Sequence, residues 1–568
     1  MIDDHVVRRS PHIRRSFDVR RWLDVRRAGA AACAAAALLI SHTVIAQDSP
    51  LVTAMKDELA RSMGGLRIKD EPPPYYIEYH VDETVTMRTA ARLGAVEVNE
   101  PASRLRTLSV QVRVGDYQFD SSRFVTQGRG GFASQSDESE VTTLDDNYDA
   151  FRRQLWLATD VAYKRAISTF ARKKAAFQNR VTTDPLPDFT QEPPVTTIRP
   201  TPVRPPRAID WVQRARDLSA VLRSSPHLQS SAVSIAEQYG THYFLNSEGF
   251  TVITPIEDAS FVVSADTQAD DGMNLRASYR VPENRLDLLP PLDVLMAGTR
   301  EVGERLTAAR TAPLGQEYTG PVLFDGRAGA ELIGQSFVPL LLAQRPPDSD
   351  NPRLVRQVAT PFMSRIGLRV MSESLSLSDT PSLEQFEGQP VSGAYDVDDE
   401  GVPAHDVTLV ENGRLLTLLT DRTPNRNLPR SNGHGRGNGP QAGVVQVKSS
   451  RAIPAAEMKA KLLELLRIQD KEFGYIVRGN DAQATPQIVK VTPDGREQIV
   501  RGVHIGDVPP SAFRDILEAS AELSMYTYRT GGGPVTVIAP ALLFEEIEIE
   551  EASDILQKPP VVPSPLSN

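Results

Sequence analysis

Residues Gly320 to Arg345 read GPVLFDGRAGAELIGQSFVPLLLAQR, a short apolar strand followed by a helix. From here on the sequence changes character. Short strands are expected at 407–411, 415–419, 443–448, 488–493 and 498–503, separated by glycine and aspartate turns, and helices at 455–466 and 510–522 interrupt them. This order predicts a β-rich, barrel-like C-terminal domain over 313–550.

Upstream, the pattern is of another kind. Leu51, Met55, Leu59 and Met63 recur at the spacing of one helical face, and Gly64-Gly65 closes that segment. Runs rich in β-branched and aromatic residues follow at 75–81, 85–91, 93–99 and 105–119, where Val110, Val112 and Val114 alternate with polar residues as in half-buried antiparallel strands. Residues 145–180 read as one long helix with Phe151, Leu155, Leu157, Val161, Ala162, Ile167 and Phe170 as its buried stripe. Eight prolines within 181–206 predict an extended linker or an arm laid over the surface, because proline fixes φ and removes a backbone donor. A helix at 208–223, a strand series through 231–279 with turn chemistry at Asn246-Ser247-Glu248-Gly249, and a helix at 292–309 complete the first half. The fold class is therefore α+β with two domains. An N-terminal antiparallel sheet with long helices is built from 47–180 and 207–312, and residues 551–568 form a flexible tail.

The first 46 residues read as an export signal: eight arginines between Arg8 and Arg27, an apolar run from 28 to 46, and Val44-Ile45-Ala46 as a small-residue cleavage site. Export to a periplasmic or extracellular location follows, with no stable membrane span once the signal is cleaved. Removing it takes away eight arginines and four aspartates, which moves the net charge from −10 to about −14. So acidic a chain lacks the concentrated basic surface that phosphate backbones need, and nucleic acid is not expected as a partner. The one cysteine, Cys33, lies inside the signal, so the mature chain has no disulfide and no thiolate ligand.

Four segments carry a resemblance to a known family: YFLNSEGF at 243–250, GPVLF at 320–324 with its helix, DDEGVPAHDVTLVENGRLLTLLTDR at 398–422, and SNGHGR at 431–436; TGGGPVTVIAPALLFEEIEI at 530–549 adds a fifth. In spelling and order they resemble the TldD/PmbA family of metallopeptidase-related proteins, over roughly 230–550. The resemblance implies that catalytic members carry a His-Glu-x-x-x-His motif on the helix after the GPVLF-like strand. The two imidazoles hold zinc, the glutamate serves as general base, and a C-terminal cysteine is the third ligand. In this chain Gly334 and Pro339 stand at the histidine positions and Gln335 at the glutamate position. Glycine and proline offer no side-chain lone pair, and glutamine takes no proton at neutral pH. No histidine occurs between His242 and His405, so no shift of register restores the motif. No metal and no cofactor are expected.

Elsewhere, candidate sites are few. His80, His227, His242, His405, His434 and His504 remain after export, and no two have the spacing that would put two ligands on one helix. Asp396, Asp398, Glu400 and Gly401 imitate the start of a calcium loop, but its twelfth position is Val407 rather than a glutamate, which leaves an acidic hairpin tip. The nine residues SNGHGRGNG from Ser431 to Gly439 are the best ligand candidates. Their glycines allow close backbone approach, and Asn432, His434 and Arg436 present donors for a peptide backbone or carboxylate. No G-x-S-x-G elbow occurs in the chain, so Ser431 and His434 are not read as the nucleophile and base of a serine hydrolase.

Three functions fit this sequence. The first is a family member without its own zinc that binds a peptide or protein segment, or serves as the non-catalytic partner in a homo- or heterodimer with a zinc-bearing relative. The second is an active metallopeptidase with a non-standard site built on His405 and His434. The third is an exported structural or binding protein that has lost peptide handling.

Overall fold

The computed structural model describes residues 49–125, 139–178, 186–199, 201–202, 204, 209–349, 351, 361–479 and 486–552, together with 560, 562 and 564–566. The expected signal segment lies outside them, as does most of the expected tail.

Five long strands make up most of the N-terminal sheet: β1 (Pro74–Arg92), β2 (Ala95–Val114), β3 (Ser230–Asn246), β4 (Thr251–Gln268) and β5 (Asn274–Glu283). Each neighbouring pair, β2–β1, β1–β3, β3–β4 and β4–β5, is antiparallel. Four expected strands are really two. The chain does not break at Asp82-Glu83-Thr84, because Glu83 pairs there with Arg104 and Arg106 of the facing strand. The reversal comes instead at Leu93-Gly94, where both residues take positive φ (48° and 82°), as a tight hairpin turn requires. Gly240 lets β1 and β3 approach closely, since a Cβ built there would lie 1.8 Å from the Glu83 carbonyl oxygen.

Helices cover one face of this sheet. Helix α1 (Pro50–Gly65) starts at Ser49, whose hydroxyl accepts from the Val52 amide at 3.2 Å, and α2 (Tyr148–Phe177) starts at Asn147, which accepts from Ala150 at 2.9 Å. They bury Leu51, Met55, Phe151, Leu155 and Tyr163 against Ile77, Tyr79, Val110 and Val112. Leu157 and Val161, expected in the buried stripe of α2, are instead exposed, while Tyr163 and Ala166 take the inward positions. Toward the other end of the same strands, α3 (Trp211–Ala220) and α4 (Leu292–Thr311) pack Trp211, Leu218, Leu295 and Val302 on Val233, Phe261 and Tyr279. Residues of equal parity on β1, such as Tyr79 and Ala91, serve both clusters, which places both on one face.

The C-terminal sheet is mixed, with twelve strands. Its main strands are β6 (Tyr318–Asp325), β7 (Leu375–Asp379), β8 (Val407–Glu411), β9 (Val444–Ser449), β10 (Gly474–Arg478), β11 (Gln487–Val491), β12 (Glu497–Ile499), β13 (Ile516–Thr530) and β14 (Gly533–Glu551). Their spatial order along the sheet is β8-β7-β9-β14-β6-β10-β11-β12, with β13 paired to β14. The path does not close on itself, so the region is β-rich but not the barrel that the run of short strands suggested. The expected helix at 510–522 is a correction of the same kind. Only Ala512–Asp515 makes a helical turn, and Ile516 already begins β13, because pairing with β14 outweighs the local helix propensity of Leu, Glu and Ala. Helix α5 (Arg327–Leu332) follows β6, and α6 (Ala455–Ile468) covers Leu323, Ile476, Val489 and Leu543 with Met458, Leu462 and Leu466.

Residues 186–199 of the proline-rich segment run between the two sheets as an extended arm. Thr196–Ile198 adds a parallel strand to β4, and the Thr190 amide donates to the Arg422 carbonyl at 2.9 Å. Phe189 is held between two guanidiniums, Arg113 of the N-terminal sheet at 3.7 Å and Arg422 of the C-terminal region at 3.9 Å from its ring centroid.

Candidate functional site

The helix after β6 sets the first part of the site. Gly326 turns the chain with φ 52°, and Gly329 packs so closely on β14 that a Cβ would lie 2.3 Å from the Pro540 carbonyl oxygen. Helix α5 then widens into a π-turn at Ile333–Phe337, in which the Val338 amide donates five residues back to the Ile333 carbonyl. The residue five after Gly334 is Pro339, in the 3-10 turn Val338–Leu341 that follows. Proline has no amide to donate. The Tyr528 hydroxyl reaches across from β13 and donates to the Gly334 carbonyl at 3.1 Å.

Gln335 donates from Nε2 to the Tyr526 hydroxyl at 3.0 Å, and the Tyr526 and Tyr528 rings stack at 5.6 Å. Arg327 sits 5.3 Å from the Tyr526 ring centroid, with its Nη1 3.6 Å from Glu331 Oε2. Burial raises the Glu331 carboxyl above its ordinary value, and Arg327 opposes that shift. Where catalytic relatives are expected to present two imidazoles and a carboxylate, this face carries a carboxamide, two phenols and an ion pair. Zinc does not fit this donor set. Among the described residues, no group of three or more His, Cys, Asp and Glu side chains is placed to hold a metal ion.

The second part is the glycine loop. Asn432 accepts from the Thr420 amide at 2.8 Å through Oδ1 and donates to the Leu418 carbonyl at 2.9 Å through Nδ2. His434 is fully buried, with Nδ1 3.0 Å from Asn432 Oδ1 and Nε2 3.8 Å from Asp379 Oδ1. Its imidazole turns to Asn432 rather than to Ser431, so no nucleophile–base pair forms. Arg436 is also buried; its Nη1 donates to the Ala442 carbonyl at 3.0 Å, and its guanidinium lies 4.5 Å from the Tyr395 ring centroid. All three residues expected to present donors to a ligand therefore turn inward, and their polar atoms help to build the loop.

That loop is also docked from below. Asp398 accepts from the amides of Glu400, Val402 and Gly435, and Asp399 accepts from Gly437 at 2.7 Å. The acidic hairpin tip and the glycine loop, read in the sequence as unrelated features, make one unit. Burial nevertheless pushes Asp398 up to about 8, against the pull of the Val402 and Gly435 amides, and pushes Asp421 up to about 6.

A cavity of about 360 Å³ opens beside this unit, lined by Glu192, Pro193, Val195, Val402, Pro403, His405, Arg430 and Ser431. One wall is the proline-rich arm and the other is the acidic tip with the start of the glycine loop. His405 lines the cavity and is exposed, whereas His434 is sealed inside. Sequence reading missed Glu192 and Arg430. They lie far apart in the chain, and their ion pair at 2.8 Å forms only when the arm folds over the loop.

Comparison with known proteins agrees with this architecture. Residues 316–551 match the PmbA/TldA metallopeptidase C-terminal domain. Over 197 residues the chain is 27% identical to a metalloprotease of Methanothermobacter thermautotrophicus, covering 34% of this chain and 39% of that one. Over 261 residues it is 25% identical to a metalloprotease of Methanocaldococcus jannaschii, covering 44% and 51%. The chain thus spans about two fifths of the length of the first of these curated relatives and about half of the second. In three dimensions it is similar to TldE from Thermococcus kodakarensis, with a TM-score of 0.51 at 14% identity, over 87% of this chain and 99% of that one. Matched domain and fold together define a metallopeptidase-like protein. Its C-terminal region, residues 316–551, is that of a TldD/PmbA-family protein.

Proposed function

We propose that this chain is a metallopeptidase-related protein without its own zinc centre, one that binds a peptide or protein segment, or acts as the non-catalytic subunit beside a zinc-bearing relative in proteolysis. A single observation carries this reading. Where the resemblance places two histidines, this chain has Gly334 inside the π-turn and Pro339 just after it, and the Tyr528 ring lies where a larger side chain at 334 would begin. Peptide recognition by strand addition is the mode that suits a β-rich protein of this kind. Export, read from the first 46 residues, puts its substrate outside the cytoplasm.

Elemental analysis and thermal melting test the proposal together. Purified mature chain is expected to hold well below one zinc per molecule, and unfolding is expected to shift upward when a binding peptide is added in excess, since a ligand of the native state alone stabilises it. One tightly held zinc, with peptide cleavage that disappears on chelation, overturns the zinc-free reading. Melting that no peptide alters favours a purely structural role.

A further inference from the structure

The cavity between the proline-rich arm and the glycine loop has a chemical asymmetry. Glu192 is nine-tenths buried, and only one of its carboxylate oxygens is engaged: Oε2 accepts from Arg430 Nη2 at 2.8 Å, while Oε1 is buried without a hydrogen-bond partner. A buried carboxylate oxygen with no donor is costly, and the cost falls when a donor arrives. Arg430 is a poor permanent answer, because its side chain remains 67% exposed and its pairing is open to water. Around the carboxylate the lining is Pro193, Val195, Val402 and Pro403, with Ser431 and His405 as its other polar groups.

At about 360 Å³ the cavity takes a side chain or a short peptide end, not a folded domain. An anionic ligand would have to enter beside a buried carboxylate that has one oxygen without a donor. A cation carried on a small aliphatic frame meets both the charge and the walls. The geometry points to a binding site for a primary ammonium group of a peptide, with Glu192 as its anchor. The ammonium is supplied by the free α-amine of a chain end or by a lysine side chain. This rests on the peptide-binding reading above and names the part of the peptide that is recognised.

Arg430 and the ligand then compete for one carboxylate, so the two members of this ion pair act in opposite directions. Loss of Glu192 removes the anchor, and loss of Arg430 frees it. A salt bridge that only held the arm in place would give losses of the same sign for both.

Calorimetric titration of the full mature chain decides the matter, with four probes: trialanine amide, its N-acetyl form, N-acetyl-lysine amide and n-butylamine. A free amine is expected to bind at least ten-fold more tightly than the acetylated tripeptide, Glu192→Gln to abolish that preference, and Arg430→Met to tighten amine binding; melting curves check that both variants fold. Tighter binding of trialanine amide assigns the site to chain ends, and tighter binding of N-acetyl-lysine amide assigns it to lysine side chains. Equal binding of free and acetylated tripeptide overturns the ammonium site while leaving peptide binding intact, and so does a folded Glu192→Gln protein with unchanged preference. Binding of n-butylamine with neither peptide supports the ammonium site and removes the peptide reading. Silence from all four probes overturns both.

Discussion

The hydroxyl of Tyr528 donates to the carbonyl of Gly334 across the interface between β13 and the helix after β6, at 3.1 Å. The bond answers a local deficit. The Val338 amide is given to Ile333, and the next residue, Pro339, has none to give. Glycine at 334 admits the aromatic ring, proline at 339 withholds the backbone donor, and the phenol replaces it.

Tyr528→Phe should therefore destabilise the chain by about 1–3 kcal/mol, the cost of leaving a buried carbonyl without its donor. Tyr526→Phe removes only the acceptor for the exposed Gln335 and should cost less than about 1 kcal/mol. Urea denaturation of both variants measures the difference. Equal effects would mean that the Gly334 carbonyl finds another donor.

Side-chain size at 334 gives a second test. A Cβ at Gly334 would lie 3.0 Å from Cε1 of Tyr528, tight enough that the ring must move. Gly334→His is expected to cost about 1–3 kcal/mol as an overpacking change. In a Tyr528→Ala background the same substitution should cost less, with a coupling of about 1 kcal/mol or more in a double-mutant cycle. Additive losses would show that the ring is not the obstacle.

Much of this arrangement was legible in sequence where the signal is local. Helix α1 follows from Leu51, Met55 and Leu59, and the hairpin at Asn246 from its turn residues. Long-range pairing was not. Nothing near Gly334 announces Tyr528, and nothing near Glu192 announces Arg430, because these contacts depend on which strands and arms meet. Leu157 and Val161 misled because apolar residues on a long helix count equally in a periodicity whether or not a neighbour covers them. Asn432, His434 and Arg436 misled because donors in a glycine-rich loop look available until the acidic tip and Thr420 are seen to enclose them.

Arg422 tests how the arm is held. Its guanidinium is fully buried, with Nε donating to the Thr190 carbonyl at 3.0 Å and Nη2 to Glu248 at 2.8 Å. Arg422→Met keeps the bulk but leaves buried Glu248 with only the Tyr117 hydroxyl as side-chain donor and takes the guanidinium from the Thr190 carbonyl, and should cost about 3–5 kcal/mol, as breaking a buried pair from one side does. Limited proteolysis should then cut within 186–199 earlier than in the parent chain. Unchanged protection of that segment would show that Phe189 and the strand at Thr196–Ile198 hold the arm alone.

Asp421 makes stability depend on pH in a direction opposite to most salt-bridged carboxylates. Burial raises it from 3.8 to about 6, and Asp398 nearby is raised to about 8, so the folded chain keeps protons that the unfolded chain has already released. By linkage, stability contributed at low pH is lost as pH climbs from about 4 through those values. For Asp421 alone the loss is on the order of 3 kcal/mol. Asp421→Asn imitates the protonated form and can keep the Oδ1 acceptor for the Thr423 amide. It should be near neutral at pH 4 and progressively stabilising relative to the parent from pH 5 to 7.5, measured by melting temperature across that range. A variant whose melting temperature tracks the parent at every pH would mean that Arg123 and Arg113, the cations that pull Asp421 down, already hold it ionised at neutral pH.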